Sequence, residues 1–274
     1  MSYTLDDVVA YLSAQDIEVK EHTVTPSFFD PVNQIPGRTI SWLPLSKQAD
    51  TVVELNKLQA ESMSLASMTA VHLLDVCGGL KVLDVCSAPG MKGLYLNSLY
   101  ECLEYCANDV SGDRLTRLVR LFKKHETEIT NITKFDGRFI HKAYSAEHFD
   151  RILLDAPCSG EGVILGGNEK LLATWSPAKV KRLQQLQIGI LKSSWKLLKP
   201  GGRLMYATCT LNKNENERVI KKVLGITVHI REESLKLETM PQLKNGEAWR
   251  ILPSENSIGF FVSALDKKAE ELYE

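Results

Sequence analysis

Apolar positions follow two rhythms along the chain: short unbroken runs, and longer stretches where they recur every three or four residues. KVLDVC (81–86) is a run that meets a Pro-Gly turn, which predicts a buried parallel strand. A helix is expected over 91–103, a weak strand over 104–110, and a helix from Ser111, with Leu115, Leu118, Val119 and Phe122 on one face. Strands are expected at 129–133 and 149–156. A long helix over 178–198 should stop at Lys199-Pro200-Gly201-Gly202, before a strand at 203–210. A helix over Asn214–Leu224 and strands at 226–230 and 259–265 complete the series. The order describes an α/β protein with a mostly parallel sheet and helices on both faces. Upstream, the pattern predicts helices over Leu5–Leu12 and 58–76, separated by a stretch punctuated by Pro26, Pro31, Pro36 and Pro44. Residues 1–75 thus form a small acidic N-terminal segment, and 76–274 the main domain.

The 274 residues, 44% hydrophobic and 24% charged, have the composition of a folded domain rather than a disordered chain. No window approaches a membrane span, and the first residues lack the order of a secretory signal. The six cysteines then read as reduced thiols in a cytoplasmic protein. Cys102 and Cys106 lack the paired spacing of a zinc site, so no metal is expected; they read as core thiols on a helix.

Net charge is −1, but it is unevenly spread. Residues 1–75 hold 4 basic and 10 acidic residues, whereas 177–222 hold 11 basic and 2 acidic. A solvated helix face explains such a run, and so does a polyanion contact.

Ligands of open α/β sheets sit beyond the carboxyl ends of the strands. There the chain places Asp84, Asp109, Asp136 and Asp155, with Cys158 and Cys209 after the fourth and fifth strands. One such Asp is ordinarily a helix cap; acids at successive strand ends are not explained that way. No P-loop and no G-x-G-x-x-G is present. An acid ending the second strand suits a ribose diol, so the cofactor is a nucleoside without a pyrophosphate. S-adenosylmethionine fits, and the two rim cysteines suggest thiolate chemistry.

The strings DVCSAPGMK (84–92), LLDAPCSGEGV (153–163) and YATCTLNKNENE (206–217) resemble the motifs of the RNA 5-methylcytosine methyltransferases, the RsmB/NOP (Sun) family. LQAESM (58–63), AND (107–109) with Arg114, FDGR (135–138), WSP (175–177), RILP (250–253) and GFFVSA (259–264) agree in order. The wording is most similar to the bacterial enzymes acting on small-subunit ribosomal RNA, and the resemblance spans roughly residues 55–265. It implies a Rossmann-like class I S-adenosylmethionine-dependent methyltransferase fold. Cys86, Ser87, Ala88, Pro89, Gly90, Met91 and Lys92 would form the loop under the methionine part of the cofactor. Asp109 would hold the ribose with Arg114 nearby, and Asp136 would meet the adenine. Asp155 would stand between cofactor and target base, which Lys92 would help to orient. Cys209 would be the nucleophile, and Cys158 would allow product release.

The resemblance implies an RNA partner, ribosomal RNA first and transfer RNA as the alternative, with the basic 177–222 stretch on its phosphates. Met91 and Gly93 depart from the family pattern, which has a second glycine and a threonine or serine there, and Ile258 stands where an acid often precedes Gly259. The N-terminal segment is short for an RNA-binding extension, so target selection would fall to a protein partner or an assembled ribonucleoprotein. Three other readings stay open: a non-catalytic RNA-binding assembly factor, a DNA cytosine methyltransferase and a small-molecule methyltransferase.

Overall fold

The computed structural model describes residues 3–17, 42–44, 61–100, 103–234, 243–253 and 257–269. An eight-stranded sheet has the order β5-β4-β3-β6-β7-β10-β9-β8. Its strands are β3 (Lys81–Asp84), β4 (Glu104–Asn108), β5 (Asn131–Thr133), β6 (Phe149–Asp155), β7 (Leu198–Thr208), β8 (His229–Ser234), β9 (Glu247–Leu252) and β10 (Phe260–Asp266). Only β10 runs antiparallel to both neighbours, β7 and β9; the other pairs are parallel. A separate parallel pair joins β1 (Trp42–Pro44) to β2 (Glu61–Met63).

Alternation along the central strands builds two cores. Val82, Leu153, Met205 and Val262 face helices Leu65–Leu73, Met91–Leu99 and Gly112–Lys124. Leu83, Ile152, Leu154, Tyr206 and Phe261 face helices Pro177–Trp195 and Glu217–Leu224. Both faces are covered, as buried parallel strands require. A third cluster packs Val8 and Leu12 of helix Leu5–Ser13 against Ile164, Trp175, Val180 and Leu211. The N-terminal helix thus lies over the segments that follow β6 and β7.

Several elements differ from the sequence expectation. The helix placed over 58–76 starts only at Leu65, where Ser64 caps it, and β2 precedes it. Residues 58–60, the cysteine at 102 and the proline-punctuated stretch up to 41 lie outside the described residues. Cys106 is on β4 and not on a helix, because its run of buried side chains pairs with β3 and β5. The long helix ends at Trp195, and β7 begins at Leu198, running through the Pro-Gly-Gly that was expected to separate them. The register with β6 shifts there, so the strand absorbs those residues as an irregularity.

Candidate active site

Strands β3, β4, β6 and β7 end on one rim, around a cavity of about 550 Å³. Cys86, Ala88, Pro89, Asp109, Arg114, Asp136, Asp155, Cys158 and Cys209 line it. A smaller adjoining cavity is lined by Ser87, Met91 and Lys92, together with Asp84. Gly90, the remaining site candidate, is not among the residues lining either cavity and lies buried at the start of helix Met91–Leu99. Its φ of 110° suits glycine, and a Cβ there would fall 2.9 Å from Leu118 Cγ.

Asn108, which no local motif signals, fastens three strand ends together. Its amide donates to the carbonyls of Val85 (2.8 Å) and Phe135 (3.1 Å), and its Oδ1 accepts from Phe135 N and Thr133 Oγ1 (both 2.9 Å). Its own carbonyl accepts from Ser87 N and Oγ. Next to it, Asp109 is buried and accepts from Ser111 N at 2.9 Å. Its Oδ2 lies 3.0 Å from Arg114 Nη1, an ion-pair distance whose angle makes no hydrogen bond. Arg114 donates instead to the Ala88 carbonyl, tying the helix to the loop after β3. Asp136 caps the turn Gly137–Lys142, and both its oxygens hold the Arg138 guanidinium, which keeps its carboxyl below the usual range.

Lys92 Nζ lies 2.6 Å from Asp155 Oδ2 and over the Phe260 ring. Burial alone would favour the neutral amine, but the Asp155 charge and hydrogen bond outweigh it, so Lys92 is held ionised. Beneath them Asp84 is buried, and its Oδ1 has no hydrogen-bond partner. Burial, aided by the Asp155 charge, pushes its carboxyl up to about 7.

The Sγ atoms of Cys158 and Cys209 are 3.1 Å apart. The Cys209 neighbour, then burial, raises the Cys158 thiol well above its ordinary range, so it is protonated at neutral pH. Two buried glutamates hold the loops that carry these thiols. Glu215 accepts from Ser159 N, Ser159 Oγ, Gln187 Nε2 and Asn212 Nδ2. Glu161 accepts from Thr210 Oγ1, from the backbone of Leu211 and Asn212, and from Trp175 Nε1. Arg250 is also buried, and it donates to the Leu211 carbonyl and pairs with Glu217 and Glu232.

The departure at Gly93 has a physical compensation. A Cβ there would stand 1.9 Å from Tyr105 Oη, and that hydroxyl donates to Asp84 Oδ2 at 3.1 Å. Tyr105 occupies the space that a larger residue at 93 would need. Gly93→Ser is therefore expected to displace a buried ring and to cost roughly 1–3 kcal/mol. An unchanged urea midpoint would refute the compensation. Met91 is half-buried and packs against the core while edging the smaller cavity. The basic run does not form one face: Lys199 pairs with Asp150 and Arg203 with Asp266, near the start of β7 and away from the rim.

A mostly parallel sheet covered on both faces, with acids at successive strand ends around one cavity, defines a Rossmann-like class I methyltransferase domain. S-adenosylmethionine is the cofactor of this class, and the residues fit it: Asp109 retains an unbonded oxygen for a diol, and Asp84 an unpaired oxygen for a cation. The family described as 16S rRNA methyltransferase RsmB/F matches residues 71–266, and this chain belongs to it. Ribosomal RNA small subunit methyltransferase B of Klebsiella pneumoniae (strain 342) is 35% identical over 193 residues, 69% of this chain and 42% of that protein. Ribosomal RNA small subunit methyltransferase F of Erwinia tasmaniensis is 33% identical over 240 residues, 83% of this chain and 48% of that protein. The chain spans less than half the length of either. The crystal structure of NSun6 from Pyrococcus horikoshii with SFG is similar at a TM-score of 0.63 and 26% identity, covering 75% of this chain and 52% of that one. Among the described residues no helix is long and apolar enough to cross a membrane.

Proposed function

We propose that this chain methylates carbon 5 of a cytosine in RNA, with small-subunit ribosomal RNA as the acceptor. The observation that carries this reading is the pair of thiols, 3.1 Å apart, on the cavity that also holds Asp155. Carbon 5 of cytosine is a weak nucleophile. Thiolate addition at carbon 6 turns it into an enamine-like one. Cys209 forms that bond, while the Lys92–Asp155 pair orients the base and offsets charge on its ring. When bound, S-adenosylmethionine supplies the methyl group that the activated carbon takes up. Asp109 with Arg114 holds its ribose, Asp136 lies at the adenine end, and the loop from Cys86 to Lys92 supports its methionine part.

Release requires loss of the carbon 5 proton and cleavage of the Cys209–carbon 6 bond. The largest influence keeping Cys158 protonated is the neighbouring Cys209 thiol. Once Cys209 is tied to carbon 6, that influence is gone. Cys158, still raised by burial and the Glu215 charge, must first give its own proton to solvent. Its thiolate then takes the carbon 5 proton, and the electron pair left behind restores the carbon 5–carbon 6 double bond and expels Cys209 as thiolate. The base must be splayed out of any stack to reach these groups. Lys179, Lys181, Arg182 and Lys213, near the loops that carry the thiols, are the cations of the 177–222 run best placed for the phosphates. Target choice through a protein partner or an assembled small-subunit particle, in the cytoplasm, completes the reading.

The test is transfer from labelled donor to ribosomal RNA, free and assembled, followed by nucleoside analysis. Label is expected in 5-methylcytidine, with at least a roughly thousandfold loss in Cys209→Ser. Donor binding with no transfer to any RNA would favour the non-catalytic assembly factor and reject the proposal.

A further inference from the structure

Six large apolar side chains are exposed among the described residues, and four of them belong to two neighbouring segments. Val110 follows β4; Ile132, Phe135 and Phe139 lie on and after β5, one of the two outer strands of the sheet. The segments are joined by the bond from Asp109 N to the Thr133 carbonyl and by the Asn108 bonds to Phe135. Phe139 is 47% exposed, although the chain buries its neighbours Gly137 and Ile140. An apolar group of this kind beside a cavity marks an interaction surface.

Its charges name the partner. Segments 110–120 and 131–142 carry Arg114, Arg117, Arg120, Lys134, Arg138 and Lys142 against Asp113 and Asp136. Asp136 is already bound by Arg138. Arg138 and Lys142 flank the Phe139 ring at 5.7 and 5.3 Å, and Lys134 is exposed between Ile132 and Phe135. Aromatic faces interleaved with cations suit unpaired bases and their phosphates, because every base can stack and every phosphate is anionic. The surface is continuous with the candidate active site, since Val110 and Arg138 also line its cavity.

We propose that this edge holds single-stranded RNA flanking the target nucleotide, with Phe139 and Phe135 as stacking platforms and Lys134 and Lys142 on the phosphates. The proposal rests on the RNA reading above and adds a path for the strand. It is tested by titrating the whole chain with a fluorescent single-stranded oligoribonucleotide at several salt concentrations. Phe139→Leu, which stays apolar, is expected to bind about tenfold more weakly. Phe139→Trp is expected to bind as the native chain does. Lys142→Ala should lower the slope of log affinity against log salt by about 0.7, the value for one phosphate on a single strand. Donor affinity should be unchanged in all three. Native affinity in Phe139→Leu, or an equal loss in the Leu and Trp variants, overturns the proposal; the second result points to a protein partner at this edge. Native binding with the expected variant losses, but no methyl transfer, upholds this surface and rejects the methylation reading instead. A native chain that binds no RNA rejects both.

Discussion

A Cys158→Ala variant with Cys209 intact is expected to stay covalently bound to RNA, giving a protein–RNA band that survives denaturation. The two thiols share one cavity, but their duties differ in time. In the proposed mechanism Cys209 acts before methyl transfer, when carbon 6 is electrophilic, and Cys158 acts afterwards, when a proton must leave carbon 5. Removing Cys158 leaves the addition intact and slows the elimination, so the intermediate accumulates. Turnover should fall by roughly 10²–10⁴, the ordinary contribution of a positioned proton acceptor. The double variant Cys158→Ala/Cys209→Ala should give no band, and sequencing the trapped RNA would identify the target. A band in the double variant would remove Cys209 from the nucleophile's place. An active native enzyme with no band in the single variant would remove Cys158 from the release step.

What could be read in the sequence and what could not divide along a physical line. Asp84, Asp109, Asp155, Cys158 and Cys209 stand at the ends of buried strands, so a buried run followed by a turn was enough to place them on one rim; Asp136 follows β5, whose residues are mostly exposed. The parallel order of the central strands followed from the same alternation. Asn108, Glu161 and Glu215 were not legible, because their partners lie far along the chain; Ser159 is 56 positions from Glu215. The match of Gly93 to Tyr105 is of the same kind: a departure at 93 that makes sense only when β4 and helix Met91–Leu99 are packed. Helices Glu161–Ile164 and Glu169–Leu172 are too short to show a period. β9 escaped the apolar pattern because Arg250 interrupts it, although the RILP string (250–253) overlaps its end. Its guanidinium is buried because Glu217, Glu232 and the Leu211 carbonyl satisfy it.

The glutamates behind the thiols should govern how stability changes with pH. Burial, reinforced by the Glu161 charge, raises the Glu215 carboxyl from 4.5 to about 7. The folded chain therefore holds this proton where the unfolded chain has released it. In that window the native state binds more protons, so stability falls as pH rises from about 4.5 to about 7 and then levels off. A shift of that size corresponds to about 3 kcal/mol. Glu215→Gln removes the titration while keeping an acceptor for the Ser159 and Gln187 donors. Its urea midpoint relative to the native chain should rise between pH 5 and pH 8. Asp84 titrates in the same direction, but it is present in both proteins and cancels from the difference. Glu215→Ala should behave otherwise: the buried donors of Ser159 N and Gln187 Nε2 lose a partner, at roughly 1–3 kcal/mol each. That variant should be less stable than the native chain at pH 5, where relief of charge offers nothing in return. A difference between the Gln variant and the native chain that does not change with pH would show that Glu215 titrates as an ordinary carboxyl. The same substitution reaches the chemistry, because the Glu215 charge is one of the influences that keep Cys158 protonated. Alkylation of Cys158 in Glu215→Gln should therefore begin at lower pH than in the native chain, a change that loosened packing alone would not confine to one thiol.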